Sequence, residues 1–197
     1  MFETLDLLLT ATVLGAITLH LIGQKLSLTW RAIGFLSIFL ITLLPHPYGL
    51  GGFVLSYISG FSITAGVIAM VTIETSLSGR CRTSKKQLHT LYWLISIAAL
   101  AFYPSSLGAF DFDTYGLGYS SLSLSLVLLT IGLIAWFKRF YLLCSILILA
   151  QIAFAMELLI SDNLWDYLLD PCLVVFAMYR VIKSLFCKEK TLAPAHG

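Results

Sequence analysis

The sequence predicts an all-α integral membrane protein, built as a bundle of seven transmembrane helices with a short interfacial helix on the outer side. Of its 197 residues, 59% are apolar and only 11% are charged, whereas a soluble domain carries roughly 25% charged residues. The mean hydropathy is +0.94. Because seven spans of about 20 residues would occupy most of the chain, we expect one polytopic transmembrane domain over 1–190 and a short cytoplasmic tail over 191–197.

Apolar runs bounded by turn residues predict where the helices lie. The first six predicted spans are Leu5–Ile22, Leu28–Leu44, Phe53–Leu77, Leu91–Leu107, Ser121–Phe137 and Phe140–Ile160. A seventh run, Pro171–Cys187, is interrupted by Arg180 and Lys183 and also fits a helix that lies on the membrane surface. Asp170 before Pro171 favours a true helix start, since Asp is a good N-cap and Pro suits the first helical position.

The positions of the basic residues decide between six and seven spans, because Lys and Arg in short loops set the orientation of a membrane protein. With the amino terminus outside and seven spans, all 12 Lys and Arg residues lie on or near the cytoplasmic side. Six spans would leave the basic residues from Arg180 to Lys190 outside. The carboxylates partition the other way, with only Glu74 and Glu189 inside. We therefore expect the amino terminus outside and the carboxyl terminus in the cytoplasm.

Other features of the sequence bear on location and on partners. The amino-terminal segment is acidic where a secretory signal would be basic, so we expect the first span to be retained. Compact loops and the lack of a targeting signal favour the bacterial cytoplasmic (inner) membrane. The net charge of +2 is too mild to indicate a nucleic-acid partner.

Two of the predicted outer connections carry side chains suited to catalysis. His46 lies between two prolines in the uncharged segment 45–52, where it can serve as a proton shuttle or metal ligand, although a turn histidine bonded to a backbone carbonyl is the commoner case. If the segment 108–119 is extended, Asp111, Asp113 and Tyr115 share one side. The pair of aspartates can then hold a divalent cation, but an ordinary aromatic-anchored loop has a similar composition. These four residues are the candidate catalytic residues, with Asp111 and Asp113 as candidate metal ligands.

A third outer segment, 161–170, carries acidic residues at helical spacing. Asp162, Asp166 and Asp170 stand at i, i+4 and i+8, with Trp165 and leucines opposite. This pattern predicts a short amphipathic helix in the outer interface, with Trp and Leu toward lipid. A cation or a basic partner would offset the repulsion of roughly 0.2–0.5 kcal/mol between each i, i+4 pair, although a solvated acidic face needs neither. With Glu157, these aspartates form a candidate face for a partner or a cation.

Three functions fit these features. The first is an accessory or scaffold subunit in envelope or lipid-glycan assembly, whose acidic extracytoplasmic face docks a protein partner. The alternative is a membrane enzyme acting at the outer leaflet on a phosphate-bearing lipid, with a divalent ion held by Asp111 and Asp113, His46 as acid or base, and Tyr115 orienting the substrate. A carrier for a small solute ranks last, because Gln151 is the clearest midplane polar residue.

The depth of Arg180 depends on where the last helix begins. A start at Pro171 places Arg180 near the middle of the bilayer, and a start near Leu164 places it near the inner interface. We expect a structural role at the inner interface, with Glu74 as the partner of Arg180.

Overall fold

The computed structural model of the chain describes residues 4–22, 26–45, 47–80, 82–119 and 121–192, and within these ranges it is helical with no β-strand. The predicted all-α class is confirmed. The helices are α1 (Thr4–Ile22), α2 (Leu28–Leu43), α3 (Leu50–Tyr57), α4 (Ile63–Ser78), α5 (Lys85–Ser106), α6 (Ser121–Phe137), α7 (Tyr141–Ala155), α8 (Leu164–Leu168) and α9 (Pro171–Leu192). A 3₁₀ turn, Gly116–Gly118, lies between α5 and α6.

Two of these helices, α1 and α5, are long and apolar enough to cross a membrane by length and composition. Shorter apolar helices accompany them, namely α2, α4, α6 from Leu122 onward, and α7. The α9 helix has 22 residues, as many as α5, but Arg180 and Lys183 interrupt its apolar sequence.

The helices pack in three groups joined through α7. The α1 helix packs against α2, α3 and α4, α5 packs against α9, and α6 packs against α7. The α7 helix also contacts α4, α5 and α8. At the close approach of α1 and α4, a Cβ on Gly66 would lie 2.4 Å from Leu9 Cδ2, so a larger residue there would displace the Leu9 side chain. Ala11, Ala150 and Ala177 are 0% exposed, as expected where small residues let helices approach closely.

The connections gather at two ends of the bundle that differ in charge. At one end, the Ser62 hydroxyl donates to Asp170 over 2.7 Å, which joins the starts of α4 and α9. At the other, Gln87 Nε2 donates to the carbonyl of Arg139 over 3.1 Å, which joins the start of α5 to the α6–α7 connection. We call the first the acidic end, after Asp6, Asp111, Asp113, Glu157, Asp162, Asp166 and Asp170. We call the second the basic end, after Arg80, Arg82, Lys85, Lys86, Lys138 and Arg139.

The predicted third span, Phe53–Leu77, is not one helix. The α3 helix ends at Tyr57, residues 58–62 are not helical, and α4 begins at Ile63. Gly60 has a φ of 139°, which glycine adopts readily and an α-helix excludes. Ser62 Oγ accepts a hydrogen bond from Ala65 N over 3.1 Å and caps α4. A glycine stop and a serine start therefore divide the apolar run.

The predicted sixth span, Phe140–Ile160, is too long at its carboxyl end. The α7 helix ends at Ala155, and Glu157 adopts a left-handed φ of 52°. Leu158 N then donates to the carbonyl of Ala153 over 3.0 Å, which is the Schellman pattern that terminates helices.

The predicted amphipathic helix over 161–170 is reduced to the five residues of α8. Its leucines do not face outward, as the prediction required, because α8 packs against α7 and α4. Leu164 is 0% exposed and Leu168 is 7% exposed. The helix ends before Asp170, so the three aspartates do not form one helical stack.

The predicted pairing of Arg180 with Glu74 is wrong. Glu74 Oε1 lies 3.2 Å from Arg82 Nε, because Glu74 is in the last turns of α4 and faces the connection that follows. The Arg180 guanidinium lies over the ring of Tyr92, with Cζ 5.4 Å from the ring centroid. The start of α9 at Pro171 places Arg180 in the middle of that helix.

Candidate functional site

The acidic end is held together by hydrogen bonds between two connections that are far apart in sequence. Trp165 Nε1 donates to the carbonyl of Thr114 over 2.8 Å, and Asn163 Nδ2 donates to the carbonyl of Tyr115 over 3.0 Å. The Tyr115 hydroxyl donates to Asp166 Oδ2 over 3.2 Å. We call these contacts between residues 114–119 and 161–170 the acidic-end junction.

Asn163 lies at the centre of the acidic-end junction and is not among the predicted site residues. Its side chain is 0% exposed, and its Oδ1 accepts from Trp165 N over 2.9 Å, which caps α8. Gly118 packs directly against it, since a Cβ at 118 would lie 1.7 Å from Asn163 Oδ1. An Asn before a short helical segment is an N-cap signal in sequence, but the contact with Tyr115 has no local signal.

Tyr115 and Asp166 are predicted site residues that the fold brings together. Ser161 Oγ donates to the same Asp166 Oδ2 that accepts from Tyr115. Burial, together with the hydrogen bond to Tyr119 and the negative charge of Asp166, raises the pKa of Tyr115. The phenol therefore stays protonated and keeps its role as a donor well above neutral pH.

Asp170 is a buried anchor, 4% exposed, and not part of a solvated face. Its Oδ2 accepts from Ser62 N over 3.0 Å and from Ser62 Oγ over 2.7 Å. Its Oδ1 accepts from Leu173 N over 2.8 Å, as expected for the predicted N-cap of the last helix. One carboxylate thus meets the positive amino-terminal ends of both α4 and α9, where a negative charge is stabilising.

A small pocket of ≈ 70 Å³ opens at the acidic end between α1, the start of α4 and the α7–α9 connection. Three carboxylates line it, those of Asp6, Asp166 and Asp170. Asp6 is 2% exposed and is not among the predicted site residues. The pocket has room for a few water-sized groups.

The predicted row of Asp111, Asp113 and Tyr115 does not form. Residues 110–115 make bends and turns, not an extended segment, and Asp113 Oδ1 accepts from Tyr115 N over 2.9 Å. Such a contact stabilises a turn around an aspartate. Asp111 and Asp113 are exposed and do not line the pocket.

The remaining predicted site residues are His46, Glu157 and Asp162. His46 lies outside the described residues. Glu157 and Asp162 are exposed at the acidic end. Within the described ranges, no group of three or more His, Cys, Asp and Glu side chains is placed to hold a metal ion.

Four exposed carboxylates lie in the two connections that form the acidic-end junction, and we call them the acidic rim: Asp111, Asp113, Glu157 and Asp162. No basic side chain in the described part of the chain lies within ion-pair distance of them. The arrangement can bind a cationic surface without first breaking an internal ion pair.

Comparisons of the chain with protein-family models, curated proteins and solved structures find no match.

Proposed function

We propose that the chain crosses a membrane seven times, through α1, α2, α4, α5, α6, α7 and α9. Large apolar side chains on the outward surface of α6 support this: Leu122 is 73% exposed, Leu126 54%, Leu129 58% and Leu133 52%. Monomeric soluble proteins rarely expose contiguous apolar patches above a few hundred Å², because each Å² removed from water contributes roughly 25 cal/mol. Lipid around α6 would provide the apolar surroundings.

We place the basic end in the cytoplasm and the acidic end outside, in the bacterial cytoplasmic (inner) membrane. The short connections at the basic end carry Arg80, Arg82, Lys138 and Arg139, and basic residues in short loops stay on the cytoplasmic side. The amino terminus is then outside and the carboxyl terminus inside.

The function that this geometry supports best is that of an accessory or scaffold subunit in envelope or lipid-glycan assembly. The acidic rim carries this proposal, because its exposed carboxylates have no described basic partner and stand on a junction fixed by hydrogen bonds. A preformed surface loses little conformational entropy on binding, and its charge steers a complementary partner. We therefore propose that the rim docks a basic extracytoplasmic segment of a partner protein.

The alternative function, an enzyme acting on a phosphate-bearing lipid with a carboxylate-held divalent ion, has weaker support. Its proposed ligands, Asp111 and Asp113, lie away from the pocket, and the Asp113 carboxylate already accepts the Tyr115 N–H. Tyr115 likewise donates to Asp166, so it is already engaged in the acidic-end junction.

Site-specific photo-crosslinking in intact membranes tests the proposal. A benzoylphenylalanine replacing Asp162 should give an adduct with a second protein, and neutralising the rest of the rim with Asp111→Asn, Asp113→Asn and Glu157→Gln should lower the adduct yield. The matched control neutralises exposed lysines at the basic end, Lys85→Gln and Lys86→Gln, and should leave the yield unchanged.

Two results would contradict the scaffold role. One is a chain that gives no adduct from position 162 and purifies alone in mild detergent. The other is an adduct yield that stays the same when the rim is neutralised, while Asp111→Asn and Asp113→Asn abolish biological function. That combination would favour the enzyme.

A further inference from the structure

The turn between α6 and α7 carries two exposed cations. It consists of Lys138, Arg139 and Phe140, and the first two are exposed. The ion pair that the structure shows at the basic end joins Arg82 to Glu74. Within the described ranges, no carboxylate lies within ion-pair distance of Lys138 or Arg139. An anion from outside the chain can therefore approach both cations without displacing an internal one.

A Schellman motif fixes the backbone of this turn. Phe140 N donates to the carbonyl of Ala135 over 2.7 Å. Arg139 N donates to that of Trp136 over 2.9 Å, which completes the motif at the end of α6. Arg139 takes its left-handed position, with a φ of 57°, where glycine is usual. A charged residue thus stands in the middle of the turn although glycine would fit the backbone with less strain.

Gln87 holds the start of α5 against the same turn. Its Nε2 donates to the carbonyl of Arg139 over 3.1 Å, and its Oε1 accepts from Leu142 N over 3.3 Å. Lys86 precedes Gln87 and is exposed. The Gln87 side chain spans the gap to the turn, and the longer Lys86 side chain starts only one residue, about 3.8 Å, before it. Three cations, one on α5 and two on the turn, can therefore share one anion.

An exposed aromatic pair marks the depth of these cations in a membrane. Trp136 is 58% exposed and Tyr141 is 50% exposed, and their ring centroids lie 5.6 Å apart. Trp and Tyr side chains concentrate where the hydrocarbon layer meets the lipid head groups. The turn joins these two residues at the basic end, so the proposed membrane placement puts Lys138 and Arg139 beside the phosphates of the cytoplasmic leaflet.

We propose that Lys86, Lys138 and Arg139 bind the phosphate of an anionic phospholipid in the cytoplasmic leaflet. This site rests on the proposed membrane placement and goes beyond the accessory role by giving the basic end a lipid ligand. Lys and Arg form charge-assisted hydrogen bonds with phosphate oxygens, and basic pockets between transmembrane helices on this side suit such head groups. A zwitterionic lipid fits less well, because its amine would meet the same cations. Free phosphate lacks the acyl chains that the Trp136–Tyr141 pair would contact.

Quenching of Trp136 fluorescence by brominated lipids tests this site. The full-length chain and a Trp136→Phe variant are reconstituted in phosphatidylcholine vesicles, and the difference between them isolates the Trp136 signal. Brominated phosphatidylglycerol or brominated phosphatidylcholine is then included at increasing fractions. We expect the site to prefer phosphatidylglycerol by about fivefold or more, since one cation near an anionic surface contributes about that factor.

Three variants separate the charge of the turn from its fold. Arg139→Asn removes the charge but suits a left-handed φ, so it should keep the unfolding midpoint and lower the preference about fivefold. Arg139→Lys keeps the charge and should keep the preference. Lys85→Gln is the matched control and should also keep it, because position 85 lies about 200° around α5 from Gln87.

Four results would overturn the inference. These are equal quenching by the two brominated lipids, a preference that survives in Arg139→Asn, an equal loss of preference in Lys85→Gln, and displacement of the lipid by inorganic phosphate beyond that by chloride of equal ionic strength. The last result would indicate a site for free phosphate. If Arg139→Asn lowers the unfolding midpoint, Lys138→Gln takes its place, and a preference that survives there overturns the inference as well.

Failure of this site and failure of the proposed function give different results. The acidic rim takes no part in the quenching assay, so equal quenching by the two lipids leaves a position-162 adduct intact. Loss of that adduct likewise leaves the phosphatidylglycerol preference intact. A chain whose Trp136 is quenched by neither lipid would contradict the membrane placement itself, and this site with it.

Discussion

Replacing Asp170 should destabilise the protein strongly, because one buried carboxylate joins the starts of two helices. Its oxygens accept from Ser62 N, Ser62 Oγ and Leu173 N over 2.7–3.0 Å. The side chain is 4% exposed, so these hydrogen bonds lie inside the protein. Asp170→Ala leaves these donors buried without their acceptor.

The magnitude follows from the groups left behind. Loss of a helix N-cap costs about 0.5–2 kcal/mol, and each buried donor left unsatisfied costs about 1–3 kcal/mol. Since Asp170 serves α4 and α9 together, we expect Asp170→Ala to lower the free energy of unfolding by about 3–5 kcal/mol. Asp170→Asn keeps one acceptor oxygen and should lose the cap of one helix, about 1–2 kcal/mol.

Reversible unfolding in mixed micelles, followed by circular dichroism, measures these differences. Asp162→Ala is the matched control, because Asp162 is exposed and a surface substitution usually changes stability by no more than about 0.5 kcal/mol. A Ser62→Ala, Asp170→Ala double-mutant cycle should show coupling between the two sites. If Asp170→Ala unfolds within about 0.5 kcal/mol of the parent, the dual-anchor interpretation is wrong.

Three further substitutions test the acidic end. Gly118→Ala should displace Asn163 and lower the unfolding midpoint, whereas Gly132→Ala should cost less because its added Cβ would meet only Leu147 Cδ1, at an ordinary contact distance of 3.8 Å; equal losses would contradict the close packing. Tyr115 has a raised pKa, so its contribution to stability is present below pH about 10, the unfolded value, and is lost as the pH rises further. Tyr115→Phe should therefore flatten the fall in unfolding midpoint above pH about 10, and an unchanged slope would refute this. Glu157→Gly should raise stability by about 0.5–1 kcal/mol, because relief of about 1–2 kcal/mol of strain at a φ of 52° exceeds the roughly 0.5–1 kcal/mol of backbone entropy that glycine costs; a loss in the same unfolding assay would show that the Glu157 side chain has a structural role.

Sequence pattern predicts this fold well where an apolar run has no internal stop signal. The predicted span Ser121–Phe137 matches α6 at both ends. The run from Phe53 to Leu77 fails because apolar content does not reveal that Gly60 takes a positive φ or that Ser62 caps a new helix. Hydrophobicity therefore locates apolar segments but not every break within them.

The candidate site is predictable only in its local parts. The N-cap role of Asp170 follows from the adjacent Pro171, and the bond to Leu173 N agrees with it. Its bonds to Ser62 span 108 residues, and the Tyr115–Asp166 bond spans 51. Such pairings arise from tertiary packing, which is also why Asp170 is buried although its spacing suggests an exposed acidic face.

The opposite placement of the two charged ends across a membrane is tested most directly by cysteine accessibility. In a variant whose native cysteines are serine, Asp162→Cys and Lys138→Cys are treated separately with a membrane-impermeant maleimide in intact cells. We predict labelling at position 162 without permeabilisation, and at position 138 only after it. Labelling of both positions from the same side, or of position 138 alone in intact cells, would contradict the proposed topology.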